Sequence, residues 1–349
     1  MNINSILFSF IFITLYSIYL TAKSDLATFY ELDGNIEKSY DYSALVEKKL
    51  KTIGFSVVDP HYRVNNQYKR KYGSTELDIL SFIPIVNDNA VMELFNIDPR
   101  VAGFSPFNLL IYKYLDENKT YIGHLNPEVM LDIFDIEDRD VREKFIASFS
   151  PLDTLLKKEL IGAKRISIPI KKPLPKKRVF SFVYEFDRPQ DLDDFADEFQ
   201  NSFENAFINR GYLIAGFYDF LADTDRGEEI LKKFDIFWSY SLCHLRYSYA
   251  IFDNKEGRAD AGLFAPCTIY MFVKKGENRL YIGMATLENV LRSLDIDTKI
   301  RVEWINKLDR EIPQILRDFG MVEVENINPL KRVPKPLYLN RAIKIDRYY

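Results

Sequence analysis

Both cysteines of this 349-residue sequence, and one of its three histidines, fall in one stretch, "SLCHLRYSYAIFDNKEGRADAGLFAPC", residues 241–267. Three chemistries are open to such a set. Cys243 and Cys267 are even in number and could close a disulfide in an oxidising compartment. They could equally be buried free thiols, which pack as small hydrophobes. Or Cys243, His244 and Cys267, joined by the thioether of Met284, could hold Cu(I), or zinc through the cysteines and histidine alone. Strand geometry opposes the metal set, because adjacent residues such as Cys243 and His244 point to opposite faces. There is no Cys-x-x-Cys pair, so zinc-ribbon, thioredoxin and attached-haem chemistry are excluded. Next to the thiols, Arg246, Tyr247 and Tyr249 place one cation and two phenols beside a short helix. That trio would suit a small anionic ligand, or would simply be a helix face packed with aromatics.

Elsewhere the sequence offers little catalytic material. It contains no Gly-x-Gly-x-x-Gly, no Walker lysine loop, no His-Glu-x-x-His and no Gly-x-Ser-x-Gly. We therefore assign no catalytic residue and no cofactor. His61 follows Asp59-Pro60 as a turn residue, and His124 reads as a capping or surface residue at a strand end. Glu128 and Glu288 recur in first helical turns, where they serve the helix dipole.

The elements that must position these residues occur twice. "YELD" (30–33) matches "YEFD" (184–187), and "VEKKLKTIGF", ending at Phe55, matches "FENAFINRGY", ending at Tyr212. "GFSPFNLLIY" matches "GLFAPCTIYMF" through Pro106 and Pro266, and "TYIGHLNPEVML" matches "LYIGMATLENVL" through Gly123 and Gly283. Four collinear blocks imply one domain present twice, at a period far too long for a solenoid. Each copy reads as a strand, an amphipathic helix ending at Gly54 or Gly211, two further strands, a short helix, a β-hairpin and a final helix. Asn126 and Thr286 are the expected N-caps of the helix after the hairpin. The fold class this implies is α+β: two homologous α/β sandwich domains, each an antiparallel or mixed sheet with packed helices. The expected divisions are a leader over 1–22, repeat one over 25–160, a basic proline-punctuated linker over 161–178, and repeat two over 179–349. The linker "ISIPIKKPLPKKR" and the later "NPLKRVPKPLYLNRAIKI" read as extended straps, each an arm that could form an edge strand crossing to the neighbouring copy.

At these blocks the sequence resembles the bacterial family called domain of unknown function 302. "SLCHLRYSYAIF" and "LFAPCTIYMF" stand for two of its segments, and copy one keeps the frame with "SFIPIVNDNAVM" and "FSPFNLLIY". On this alignment Ile83 and Phe107 take the places of Cys243 and Cys267, and His244 stands where the family has asparagine. The resemblance spans most of 43–135 and 203–295. It implies a compact α+β domain that pairs as a dimer, so the tandem chain would be an intrachain pseudo-dimer, and it implies no activity.

Net charge is −4, from 47 basic and 51 acidic residues, so no overall field attracts nucleic acid. The apolar run from Ile6 to Leu20 is too short to span a bilayer easily and suits a signal peptide, with an uncleaved anchor as the alternative. A periplasmic or secreted protein is expected in the first case and an inner-membrane-anchored one facing the periplasm in the second. Together these features point to an exported, non-enzymatic binding or interaction protein of unknown ligand or protein partner. Its pocket would lie between the copies or beside 241–267. The alternative is a metal- or thiol-dependent redox protein using Cys243, His244 and Cys267.

Overall fold

A computed structural model describes residues 25–34 and 42–325; the leader and the 328–345 strap lie outside the described residues. Two six-stranded antiparallel sheets form the frame. The first contains β1 (Asp25–Asp33), β2 (Ser56–Val57), β3 (Leu77–Val86), β4 (Phe107–Tyr114), β5 (Lys119–Leu125) and β6 (Lys164–Pro169), in the order β2-β3-β4-β5-β1-β6. The second contains β7 (Val179–Glu185), β8 (Leu213–Asp219), β9 (Phe234–Cys243), β10 (Cys267–Lys274), β11 (Arg279–Ala285) and β12 (Val322–Glu323), in the order β12-β7-β11-β10-β9-β8. Read from β8, the second sheet repeats the first strand for strand. The fold is α+β, with two similar domains.

Local sequence explains the elements. β3, "LDILSFIPIV", has hardly a polar residue and is buried along nearly its whole length, as a strand covered on both faces must be. In the Leu192–Ile208 helix, Phe199, Phe203 and Phe207 recur every four residues and so form one buried stripe. That stripe packs on Trp238 and Tyr240 of β9. The matching helix in repeat one, 42–52, buries Tyr42, Leu45, Val46 and Leu50 and contains a π turn over Leu45–Lys49. Gly54 and Gly211 then take φ of 83° and 85°, a conformation open to glycine at little cost. Lys164–Pro169, within the stretch read as linker, adds edge strand β6 to the first sheet by pairing with β1. The chain then crosses to repeat two, where Lys171 and Lys172 donate to the carbonyls of Ser293 and Arg292.

The repeats pack reciprocally. The 3₁₀ segment Pro99–Phe104 lies on β10, and its counterpart Ala259–Phe264 lies on β4, the arrangement of a pseudo-dimer. A Cβ on Gly262 would meet the side chains of Phe82 and Leu110 of the other repeat at 2.9 Å, so a larger residue there would push these side chains out of the contact. Polar groups at the contact are satisfied across it. Asn108 donates to Gly262 O at 2.6 Å, and the Tyr114 hydroxyl donates to Gly257 O at 2.9 Å while accepting from Ala259 N at 3.0 Å. The fully buried Asp253 carboxylate accepts from Thr75 Oγ1 and Glu76 N, both at 2.6 Å.

Candidate ligand-binding site

β9 and β10 carry Cys243 and Cys267 to one end of the second sheet. There the chain turns through His244, the N-cap residue of the Leu245–Ser248 helix, and returns to β10 through Pro266. Between these segments and repeat one lies a cavity of about 290 Å³. Repeat one contributes His61, Val64, Gln67 and Phe82 to its wall; repeat two contributes Tyr212, both cysteines, His244, Tyr247 and an apolar floor that includes Ile305 and Leu308. Among the described residues no Lys, Arg, Asp or Glu lines it. Charges stand just behind the wall: Glu311, 3.4 Å from the Tyr247 hydroxyl that donates to it; Lys307, 4.0 Å from Glu311; and Asp309, which accepts from the lining residue Leu287 at 2.7 Å.

Repeat one shows why this space is open. Cys267 and Phe107 each follow a cis proline peptide and open equivalent strands. Phe107 fills its site: its ring stacks on Phe149 at 4.5 Å and meets Phe55 edge-on at 6.2 Å. In repeat two the same positions hold Cys267, Asp309 and Tyr212, and the ring stack is gone.

The ladders correct one part of the sequence alignment. Cys267 pairs with Leu242, whereas Phe107 pairs with Ile85. The counterpart of Cys243 is therefore Val86, not Ile83, and that of His244 is Asn87. Contacts on the repeat glycines agree: a Cβ on Gly54 would face Asn87 Oδ1 and one on Gly211 would face His244 Nε2. Repeat two is three residues longer between this N-cap and the 3₁₀ segment (259 − 244 = 15 against 99 − 87 = 12), and a π turn at Tyr249–Asp253 lies in that stretch.

The cysteines are free thiols, not a disulfide. Register explains this: Cys267 pairs with Leu242, so Cys243 is one residue past the position directly opposite it. Burial pushes the Cys243 thiol up to about 11 and, with Cys243 adding to it, the Cys267 thiol up to about 12. The metal set is not assembled either: among the described residues no group of three His, Cys, Asp or Glu could hold an ion. Met284 sits in β11 beside Cys267 at a separate small cavity, while the His244 ring stacks on Tyr247 at 3.9 Å.

The trio Arg246, Tyr247 and Tyr249 diverges. Tyr247 lines the cavity. Exposed Arg246 lies over the Trp304 ring at 5.1 Å. Tyr249 crosses to repeat one, stacking on Tyr72 at 4.4 Å and bonding Ser74 at 3.0 Å. A helix of four residues followed by a π turn sends successive side chains in three directions.

Two histidines also differ from expectation. His61 is no free turn residue, because it bridges to Phe82 and its Nε2 donates to Ala215 O at 2.6 Å, on the cavity wall. His124 is buried, not at the surface; Nδ1 donates to Leu125 O and Nε2 lies 3.4 Å from Asp153. Nor do Asn126 and Thr286 cap as expected. Asn126 makes no side-chain cap bond, and in repeat two Asp309 reaches across from the Lys299–Asp318 helix to accept from Leu287 N and Glu288 N at 2.7 and 2.8 Å. Burial pushes the Asp309 carboxyl up to about 6.

The arrangement defines a class, two similar α+β domains packed as an intrachain pseudo-dimer with an apolar cavity where the second meets the first. No family model matches the chain, and no curated protein matches it. Among solved structures it is similar to an uncharacterized conserved DUF302 protein from Bacillus stearothermophilus, at 20% identity and a TM-score of 0.32, over 38% of this chain and 97% of that one.

Proposed function

We propose that the chain is a tandem pair of domain-of-unknown-function-302 domains acting as a binding protein, with one small, largely apolar ligand held in the cavity of repeat two. The observation carrying this reading is the contrast between Cys267 and Phe107: the same fold position is plugged in one copy and open in the other. A cavity of about 150 Å³ takes a benzene, so about 290 Å³ suits a ligand of roughly ten to fifteen heavy atoms. Repeat one then serves as scaffold and contributes part of the wall through His61, Val64, Gln67 and Phe82. The thiol-redox alternative has weaker support, because burial holds both thiols protonated at neutral pH. An extracytoplasmic location rests on the apolar run Ile6 to Leu20, and cell fractionation tests it. No helix among the described residues is long and apolar enough to cross a membrane.

A thermal-denaturation screen of the full chain tests the binding role, using apolar, polar and anionic compounds of this size. Ligands that bind only the folded state raise its stability by mass action. Compounds should stabilise the wild type and fail to stabilise Cys267→Phe. Equal shifts in both proteins, or none in either, would overturn the reading.

A further inference from the structure

Comparing the repeats position by position also identifies the chemistry of the ligand, given that the cavity binds one. From repeat one to repeat two, Phe55 becomes Tyr212, Asn87 becomes His244 and Phe107 becomes Cys267. The first change adds a hydroxyl to a side chain that is 2% exposed; this hydroxyl faces the Glu311 carboxylate but completes no well-formed hydrogen bond. The second frees a polar atom. Asn87 spends its side-chain oxygen on the helix N-terminus by accepting from Ala90 N, whereas His244 makes no cap bond and its Nδ1 is buried and unpartnered. The third change opens the volume. Substitutions at three separate points thus leave an apolar space with two unsatisfied polar groups on its wall, Tyr212 and His244. The two belong to one cluster, since their rings meet edge-on at 5.1 Å.

A buried hydroxyl and a buried imidazole nitrogen left unpaired each carry a desolvation cost, which a ligand oxygen would relieve. The ligand's charge follows from the surroundings. Among the described residues no cation lines the cavity. The nearby Lys307 is paired with Glu311, whose carboxylate sits by the Tyr247 and Tyr212 hydroxyls; Asp309 stands behind Leu287 and Cys267, and Lys71 faces His244 from outside the lining. An anion would be buried beside Glu311 without a counter-charge, and a cation would have no carboxylate on the wall to meet it. Burial also lowers the His244 pKa, so the imidazole is neutral at pH 7 and does not supply the missing charge.

We infer that the site takes an uncharged lipophile carrying one hydroxyl or carbonyl oxygen, with that oxygen placed between Tyr212 and His244 and its hydrocarbon part in the space that Phe107 fills in repeat one. This rests on the binding role proposed above.

Isothermal titration of the full chain at pH 7 with 1-naphthol, naphthalene and 1-naphthoate tests it. Naphthol should bind about fivefold more tightly than naphthalene, the worth of roughly one net hydrogen bond, and at least about tenfold more tightly than naphthoate. The double variant Tyr212→Phe/His244→Asn restores the residue types of repeat one; it should bind naphthol and naphthalene equally. Naphthoate binding as well as naphthol, or a naphthol preference surviving the double variant, overturns the inference and leaves the cavity's binding role standing. Failure of all three probes to bind the wild type counts against the binding role itself. The naphthol–naphthoate comparison needs only the wild type, so it decides the matter even if the variant does not fold.

Discussion

Replacing Cys267 by phenylalanine should close the cavity as Phe107 closes its counterpart. The ring has room, because the position equivalent to Phe149 holds the smaller Asp309. If the ring fills about a quarter of the 290 Å³, then at about 24 cal/mol per Å³ of cavity the gain is about 1.7 kcal/mol. Misfit in a wall shaped around a thiol reduces it, which leaves a net stabilisation of about 1 kcal/mol and a rise in Tm of about 2 °C. The assay is thermal denaturation of wild type and variant, each with and without 1-naphthol. The variant should melt higher alone and lose its response to ligand. A variant destabilised by more than about 2 kcal/mol that still responds to naphthol would show that the ring does not enter the cavity, and the reasoning from repeat equivalence would fail.

Three further outcomes follow from the geometry. With pKa values near 11 and 12, about one thiol in a thousand or fewer is ionised at pH 8, against about a quarter for an ordinary cysteine. Iodoacetamide should therefore label the folded protein at least about a hundredfold more slowly than the unfolded chain, and a fast labelling phase at pH 8 would contradict this. Asp309 has a folded pKa near 6, above its unfolded value near 3.9, so the folded state binds the extra proton. Its contribution to stability is complete below about pH 4 and is lost as pH rises through 6, a swing of about 3 kcal/mol at most. The Tm of wild type relative to Asp309→Asn should thus rise as pH falls from 7 to 4, and a flat difference would refute the assignment. Tyr114→Phe removes the hydroxyl that bridges Gly257 O and Ala259 N between the repeats. It should cost about 2 kcal/mol in denaturant unfolding, and a change under about 0.5 kcal/mol would show that water replaces the bridge.

Much of the frame was legible in the residues. The runs "LDILSFIPIV" and "FNLLIYKY" correspond to β3 and β4 as complete strands, because strand periodicity and turn residues are local signals. The likeness of the two domains was legible for the same reason, since each keeps its own glycine stop and hairpin. Register was not. A three-residue difference around the short helix shifts Cys243 from Ile83 to Val86, and the β3–β4 and β9–β10 ladders together reveal it. The free state of the cysteines follows from that register, and so was equally hidden. The directions of Arg246, Tyr247 and Tyr249 depend on a π turn that period-3.6 reasoning does not anticipate. His61 was missed as a wall residue because its neighbours come from β3 and β8, the latter in the other repeat. One signal for the site was present in the aligned repeats: Phe107 opposite Cys267, a large side chain facing a small one at a strand start just after a proline.

The central claim is that repeat two contains the ligand site and that its twin in repeat one is plugged. A crystal of the full chain soaked with 4-bromo-1-naphthol tests it through the anomalous signal of bromine. One bromine peak is predicted, in the cavity between His61 and Cys267, with the naphthol oxygen toward Tyr212 and His244. No peak there, or a peak of equal height beside Phe107, would contradict the account.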